Sequence, residues 1–215
     1  MKKIFLSISL VLCTVLGFSQ VFKPIKIDSL VTVTMPADVQ KKDTLGQQVF
    51  TGKGSYGYMI VIRAANAKNN KPLKKETDLN KVLKDYIKGI KGQSGTGAVY
   101  NTRDTIIGGR LEAKVFTLSQ DSPEGLMLRS FILLYTQDAT YTFEYLYPEE
   151  RKEVVKKEFK AYTSSIKLSP ELQRNDQYLS NAKGMSTVTK IVIYGGGALL
   201  VIIIIVLIRR KKKTE

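Results

Sequence analysis

The chain has 215 residues, with 34 Lys and Arg against 19 Asp and Glu, one Cys, no His, no Trp and a formal net charge of +15. With no imidazole anywhere, and its one thiol (Cys13) inside an N-terminal apolar run, the remainder cannot build a Ser-His-Asp triad, a thiol nucleophile, a disulfide or a His- or Cys-based zinc site. Chemistry based on carboxylates, Lys, Ser or Tyr passes this filter, as do cation sites made of oxygen ligands.

Lys2 and Lys3 precede the apolar run Ile4 to Leu16, and Gly17-Phe18-Ser19 places small residues where a signal peptidase reads. Residues 1–19 are predicted to be a signal peptide cleaved before Gln20. Cys13 follows Leu12, where a lipoprotein signal needs a small residue, so it is not read as a lipidation site.

Residues 21–168 are one domain by length. Ile27 to Met35 reads as a strand, with Val31, Val33 and Met35 on one face and Pro36 as its stop. Gln47 to Thr51 and Tyr56 to Ala65 are the next strands. Leu79, Val82, Leu83, Tyr86, Ile87 and Ile90 then recur at helical spacing. Thr77 or Asp78 is expected to cap this helix, and Gly89 or Gly92 to end it. Val99 to Ile107 and Arg110 to Ser119 flank Gly108-Gly109, a hairpin signal. Leu126 to Thr136 carries a single charge, Arg129, and suits a central strand covered on both faces. Thr140 to Tyr147 alternates. A second helix is predicted with Pro148 in its first turn, Glu149 and Glu150 at its positive end, and Val155, Phe159, Tyr162 and Ile166 on one face. The order is β-β-β-α-β-β-β-β-α. It predicts an α+β domain: an antiparallel sheet of about six to seven strands packed with two helices.

Residues 169–190 are polar and read as a tether. Ile191 to Ile208 is uncharged for 18 residues, which as a helix spans about 27 Å, close to the hydrocarbon thickness of a bilayer. Lys190 precedes it and Arg209, Arg210, Lys211, Lys212 and Lys213 follow. This predicts a transmembrane helix over 191–208 with a basic cytoplasmic tail over 209–215, the five basic residues setting the topology. Gly195, Gly196 and Gly197 lie inside the span and no LPxTG motif occurs, so a retained anchor is a simpler account than a cleaved sorting signal. Residues 21–189 hold 26 of the basic and 18 of the acidic side chains, a net +8, so about half the total charge belongs to the two ends. The expected location is the bacterial inner membrane, single-pass, with the globular domain in the periplasm. The bilayer is then the first partner, and nucleic acid is not expected.

Several stretches together carry a family resemblance. "VTVTMPADV" (31–39) is a strand running into Pro, and "TDLNKVLKDYIKGI" (77–90) is a helix. "TIIGGRLEAKVFTLS" (105–119) is a Gly-containing hairpin, and "RKEVVKKEFKAYTSSIKL" (151–168) is a helix ending in Ser before a short apolar segment. In this order they resemble the PsbP-like superfamily of extrinsic and periplasmic domains, over nearly all of 27–168. The resemblance implies a PsbP-like sandwich and a noncatalytic accessory or binding module. It carries over no functional residue, since the matching positions are core and turn positions. The C-terminal anchor departs from most members.

Four constellations have both a functional and a plain reading. Lys81, Lys84, Lys88 and Lys91 share a helix face opposite the apolar stripe; they are a candidate surface for anionic headgroups, or a solvated face. Tyr141, Phe143, Tyr145 and Tyr147 share one strand face; they are a candidate aromatic platform, or they pack beneath a helix. "GQSGTGAVY" (92–100) follows a helix and precedes a strand, the reverse of a phosphate-cradling loop, and "GKGSYG" (52–57) is a turn. Glu149, Glu150 and Glu153 sit among Arg151, Lys152, Lys156 and Lys157, which favours surface pairing over cation binding.

No pattern identifies catalytic or metal-binding residues, and none calls for a cofactor. The expected function is that of a non-catalytic, membrane-anchored envelope protein whose exported domain is a binding or accessory module for another envelope component. A lipid or small-ligand binding protein is the alternative, and a hydrolase using carboxylates or a Ser/Lys pair the third reading.

Overall fold

The computed structural model describes residues 21–67, 71–95 and 97–180. The expected signal peptide, residues 181–190 of the expected tether, the span 191–208 and the tail with Arg209, Arg210, Lys211, Lys212 and Lys213 lie outside the described residues. Among the described residues no helix is long and apolar enough to cross a membrane.

In chain order the elements are β1 (Phe22–Lys26), β2 (Val31–Pro36), β3 (Gln40–Thr44), β4 (Gln47–Lys53), β5 (Tyr58–Ala65), α1 (Glu76–Gln93), β6 (Ala98–Ile107), β7 (Leu111–Ser122), β8 (Gly125–Tyr135), β9 (Ala139–Pro148), α2 (Lys152–Ser164) and β10 (Lys167–Leu168). Seven strands form one antiparallel sheet in the order β3-β4-β5-β9-β8-β7-β6, and β1-β2-β10 form a small second sheet. The domain is α+β, two helices packed on a large antiparallel sheet.

The period-two alternation of the central strands feeds two separate cores. Ala113, Val115, Ile132 and Leu134 join Tyr141, Phe143, Tyr145 and Tyr147 on one face, covered by β2 and by Val155 and Tyr162 of α2. Phe116, Leu118, Phe131, Leu133 and Tyr135 point the other way, under Leu79 and Leu83 of α1. The two helices therefore lie on opposite faces of the large sheet. Each large side chain buried this way contributes about 1.5–3 kcal/mol. β8 is buried on both faces over its second half, as its doubly apolar sequence requires.

The hairpin turn after β6 has both glycines at positive φ, +58° at Gly108 and +70° at Gly109, a conformation that costs L side chains strain. Several expected boundaries move. The first predicted strand is shorter, because Asp28 accepts the Leu30 and Val31 amides at 2.8 and 2.9 Å and turns the chain between β1 and β2. β3 is a fully exposed edge strand of polar residues, so no alternation marks it. α1 starts at Glu76, and Asp78 reaches back to accept the Lys74 and Lys75 amides. It runs past Gly89 and Gly92, both of which face open space, to Ser94, whose hydroxyl donates to the Ile90 carbonyl at 3.0 Å. Pro148 closes β9 instead of opening α2.

The larger correction concerns residues 169–180, expected to begin the tether. They are part of the fold. Leu172, Gln177 and Tyr178 are buried. The Gln177 side chain accepts the Glu112 amide at 2.8 Å and donates to the carbonyls of Glu112 at 2.7 Å and Tyr135 at 2.9 Å. The Arg110 guanidinium donates to the carbonyls of Leu168, Ser169 and Pro170. Glu171, Gln173 and Asn175 face solvent, but the polar groups that turn inward, those of Gln177 and Tyr178, satisfy groups on β7 and β8.

Candidate functional site

α2 presents two stripes. Val155, Phe159 and Tyr162 enter the core. Val154, Glu158, Ala161 and Ser165, at i, i+4, i+7 and i+11, face a cleft of about 890 Å³. Met59 and Tyr162 form its floor, the β1–β2 pair forms one wall through Phe22 and Thr34, and the turn between β4 and β5 closes one end with Ser55 and Tyr56.

The walls are fixed by polar contacts. The Tyr145 hydroxyl, reaching through the core from β9, donates to Glu158 Oε2 at 2.6 Å, and the Ser55 amide donates to Glu158 Oε1 at 3.0 Å. Burial, and then this carboxylate, push the Tyr145 hydroxyl well above its ordinary pKa, so it stays a donor. The Arg151 guanidinium donates to the Tyr56 carbonyl at 3.1 Å. Ser165 accepts the Thr34 amide at 3.0 Å and donates to the Tyr162 carbonyl at 2.7 Å. Gly57 lets the turn approach β9: a Cβ there would lie 2.1 Å from the Leu146 carbonyl oxygen. The result is an apolar floor with a rim of positioned polar groups and two exposed hydrophobic residues, Tyr56 and Val154. Such a cleft can take an apolar group and orient it, and its size falls within the range of small-ligand sites.

A second groove of about 540 Å³ lies on the opposite face, beside α1, where that helix leaves β5 and β9 partly uncovered. At its floor Arg129 forms a two-bonded ion pair with Glu144, at 2.6 and 3.1 Å, and the guanidinium also lies 5.0 Å from the Phe131 ring centroid. The Glu144 side chain is 2% exposed and that of Arg129 26%.

The candidates taken from the sequence fare differently. Tyr141, Phe143 and Tyr145 are fully buried under α2 and β2, so they are not an exposed platform. The two tyrosine hydroxyls act from within: Tyr141 donates to Asp28 and Tyr145 to Glu158. Lys81, Lys84, Lys88 and Lys91 are all exposed along the outer side of α1. Glu153 pairs with Lys156 at 2.7 Å on the helix surface; of the 52–57 glycines, Gly52 lies in β4, and Gly54 and Gly57 frame the turn that ends the cleft. The cleft itself went unread, although Val154 and Ala161 make a second apolar stripe around Glu158. The ion pair left a sign too, since one charge in a doubly buried strand implies a partner on its neighbour.

The fold is PsbP-like. The solution structure of cyanobacterial PsbP (CyanoP) from Synechocystis sp. PCC 6803 matches with a TM-score of 0.50 at 17% identity, over 72% of this chain and 95% of that one. A Bacteroides thetaiotaomicron protein matches with a TM-score of 0.40 at 10% identity, over 66% of this chain and 46% of that one, too loosely to bear on the fold. No protein-family model matches the sequence, and no curated protein matches it.

Proposed function

We propose that the chain is a non-catalytic, single-pass protein of the bacterial inner membrane. Its PsbP-like domain, on the periplasmic side, is an accessory module that holds an apolar part of another envelope component in the cleft between α2 and the β1–β2 pair. The observation that carries this reading is the cleft's construction. Its floor is apolar, and Glu158, its best-placed carboxylate, is already engaged by Tyr145 and Ser55 in holding the walls. The uncharged stretch 191–208 and the basic run after it support the anchored part. Anchoring would raise the local concentration of the domain near its partner.

The cleft's volume of about 890 Å³ favours one second reading, a lipid or small amphiphile as the occupant. A photo-crosslinking residue at Val154, on the cleft rim, and another at Leu45, 98% exposed on the β3–β4 turn, test both in growing cells. The accessory reading expects discrete protein adducts from position 154 that position 45 does not give. Adducts carrying only a small added mass would move the assignment to a carrier, and identical adducts from both positions would end the cleft's claim.

A further inference from the structure

The final described residues place the chain's exit. The Leu179 amide donates to the Leu73 carbonyl and the Ser180 amide to the Lys74 carbonyl, each at 2.9 Å. Residue 180 is therefore pinned beside the segment that leads into α1. Only residues 181–190 separate it from the uncharged stretch at 191, instead of the 22 residues that the polar composition suggests. Ten residues reach at most about 35 Å when fully extended, and about 17 Å on average as a flexible chain. α1, with 18 residues, is about 27 Å long.

The outer side of α1 is basic. At 100° per residue Lys81, Lys84, Lys88 and Lys91 fall within an arc of about 80°, and all four are exposed. Lys71 and Lys74, also exposed, precede the helix at the exit itself. Leu79 and Leu83 face the sheet instead. Of the acidic residues of α1, Asp78 is folded back onto the Lys74 and Lys75 amides, and Glu76 and Asp85 lie outside the lysine arc.

We propose that this lysine face of α1 rests on the anionic surface of the bilayer that holds residues 191–208. The domain then lies with α1 toward the membrane and, since α2 occupies the opposite face of the sheet, with the α2 cleft turned outward to its partner. This orientation rests on the anchored reading above. The two features that carry it are independent: the exit at α1, fixed by backbone hydrogen bonds, and the charge, set by the outer residues of the helix. A short connection holds the lysines within a headgroup's distance, where each is attracted to anionic lipid.

The test uses the full chain in a Cys13→Ser background, reconstituted into vesicles of phosphatidylcholine with or without phosphatidylglycerol. A fluorophore is placed by Gly92→Cys on the lysine side of α1, where an added Cβ meets nothing within 4 Å, or by Val154→Cys at the cleft. Quenching by headgroup-attached acceptors is then read. The orientation expects several-fold stronger quenching at 92 than at 154 in phosphatidylglycerol vesicles. The difference should shrink without phosphatidylglycerol and in 1 M salt, where the screening length is about 3 Å. It should shrink likewise when Lys81, Lys84, Lys88 and Lys91 are all changed to Gln. Equal quenching at the two sites, or a difference indifferent to lipid charge and salt, overturns it. A chain washed from the vesicles by alkaline carbonate overturns the anchored reading, and this orientation with it. A chain that stays embedded but quenches equally overturns the orientation alone.

Discussion

Tyr141, in the middle of the large sheet, donates its hydroxyl to Asp28 at 2.6 Å, a residue 113 positions earlier in the turn between β1 and β2. The same Asp28 oxygen accepts Arg63 Nε at 2.6 Å, and the other oxygen takes the Leu30 and Val31 amides. One carboxylate thus ties the small sheet to the large one. Burial works against its charge, but the hydrogen bonds from Tyr141, Arg63, Leu30 and Val31 outweigh it and hold the carboxyl below its usual range.

The sign of the resulting acid dependence follows from that depressed pKa. The stabilisation is complete above the unfolded-state value, about 4, and is lost as the pH falls through the lower folded-state value. Denaturant unfolding between about pH 5 and pH 2 should show stability declining in the wild type. Asp28→Asn should start lower at neutral pH and decline less over the same window. Parallel curves for the two proteins would remove Asp28 as the cause.

The opposite limit belongs to the tyrosines. Burial raises the hydroxyls of Tyr135, Tyr141, Tyr145, Tyr147 and Tyr162, and hydrogen bonds to carboxylates add to this at Tyr141 and Tyr145. Stability from these groups is full below the unfolded-state pKa, about 10, and is lost as the pH rises beyond it. Tyrosinate absorbance from the buried rings should appear together with loss of far-ultraviolet circular dichroism. Ionisation of these rings ahead of unfolding would contradict their sealed environment.

Gln177 should be the most sensitive polar position of the segment expected to be a tether. Gln177→Ala leaves the Glu112 amide and the Glu112 and Tyr135 carbonyls without their side-chain partner at a buried site. A loss of about 1–3 kcal/mol is expected from equilibrium unfolding. Gln173→Ala, at an exposed position, should cost well under that. A neutral Gln177→Ala would mean that the segment merely lies on the domain.

Arg129→Ala should destabilise by about 3 kcal/mol, the lower end expected for breaking a buried pair, because Arg129 remains 26% exposed while Glu144 is at 2%. The double change Arg129→Met, Glu144→Gln should cost less than Arg129→Ala alone, since no carboxylate is left uncompensated. Thermal unfolding of the three proteins checks the order.

Gly57→Ala should deform the end of the cleft, since its Cβ would meet the Leu146 backbone oxygen at 2.1 Å. Gly92→Ala, with nothing nearby, should be neutral or slightly stabilising through better helix propensity. A Gly57→Ala protein that melts with the wild type would show that the turn can shift without loss.

Both helices and all but the weakest strands were legible in the sequence, because each buries one face against a core and so keeps a periodic apolar pattern. β1, β3 and β10 were not: β1 has no fully buried residue, β3 is exposed at every residue, and β10 has only two residues. The aromatic row on β9 was readable as one face, but not whether that face was open. The covering β2 strand is more than 100 residues away in the chain, and its pairing with β10 is non-local. The cleft was harder still. Only the α2 side of its lining carries a pattern; β1, β2, the β4–β5 turn and β5 each contribute one or two residues that have nothing to announce locally.

By itself, the sequence determined the absence of imidazole and thiol chemistry from the domain, the alternation that makes an α+β sheet protein, and the two basic-flanked apolar runs at its ends. These depend on residue identity and on periods of two to four residues. Only the tertiary structure decided that the tyrosines turn inward to hold carboxylates, that residues 169–180 belong to the domain, and that α1 and α2 stand on opposite faces. Each of those is a contact between segments far apart in the chain, set by which strands pair and which face each helix covers, and no local pattern encodes it.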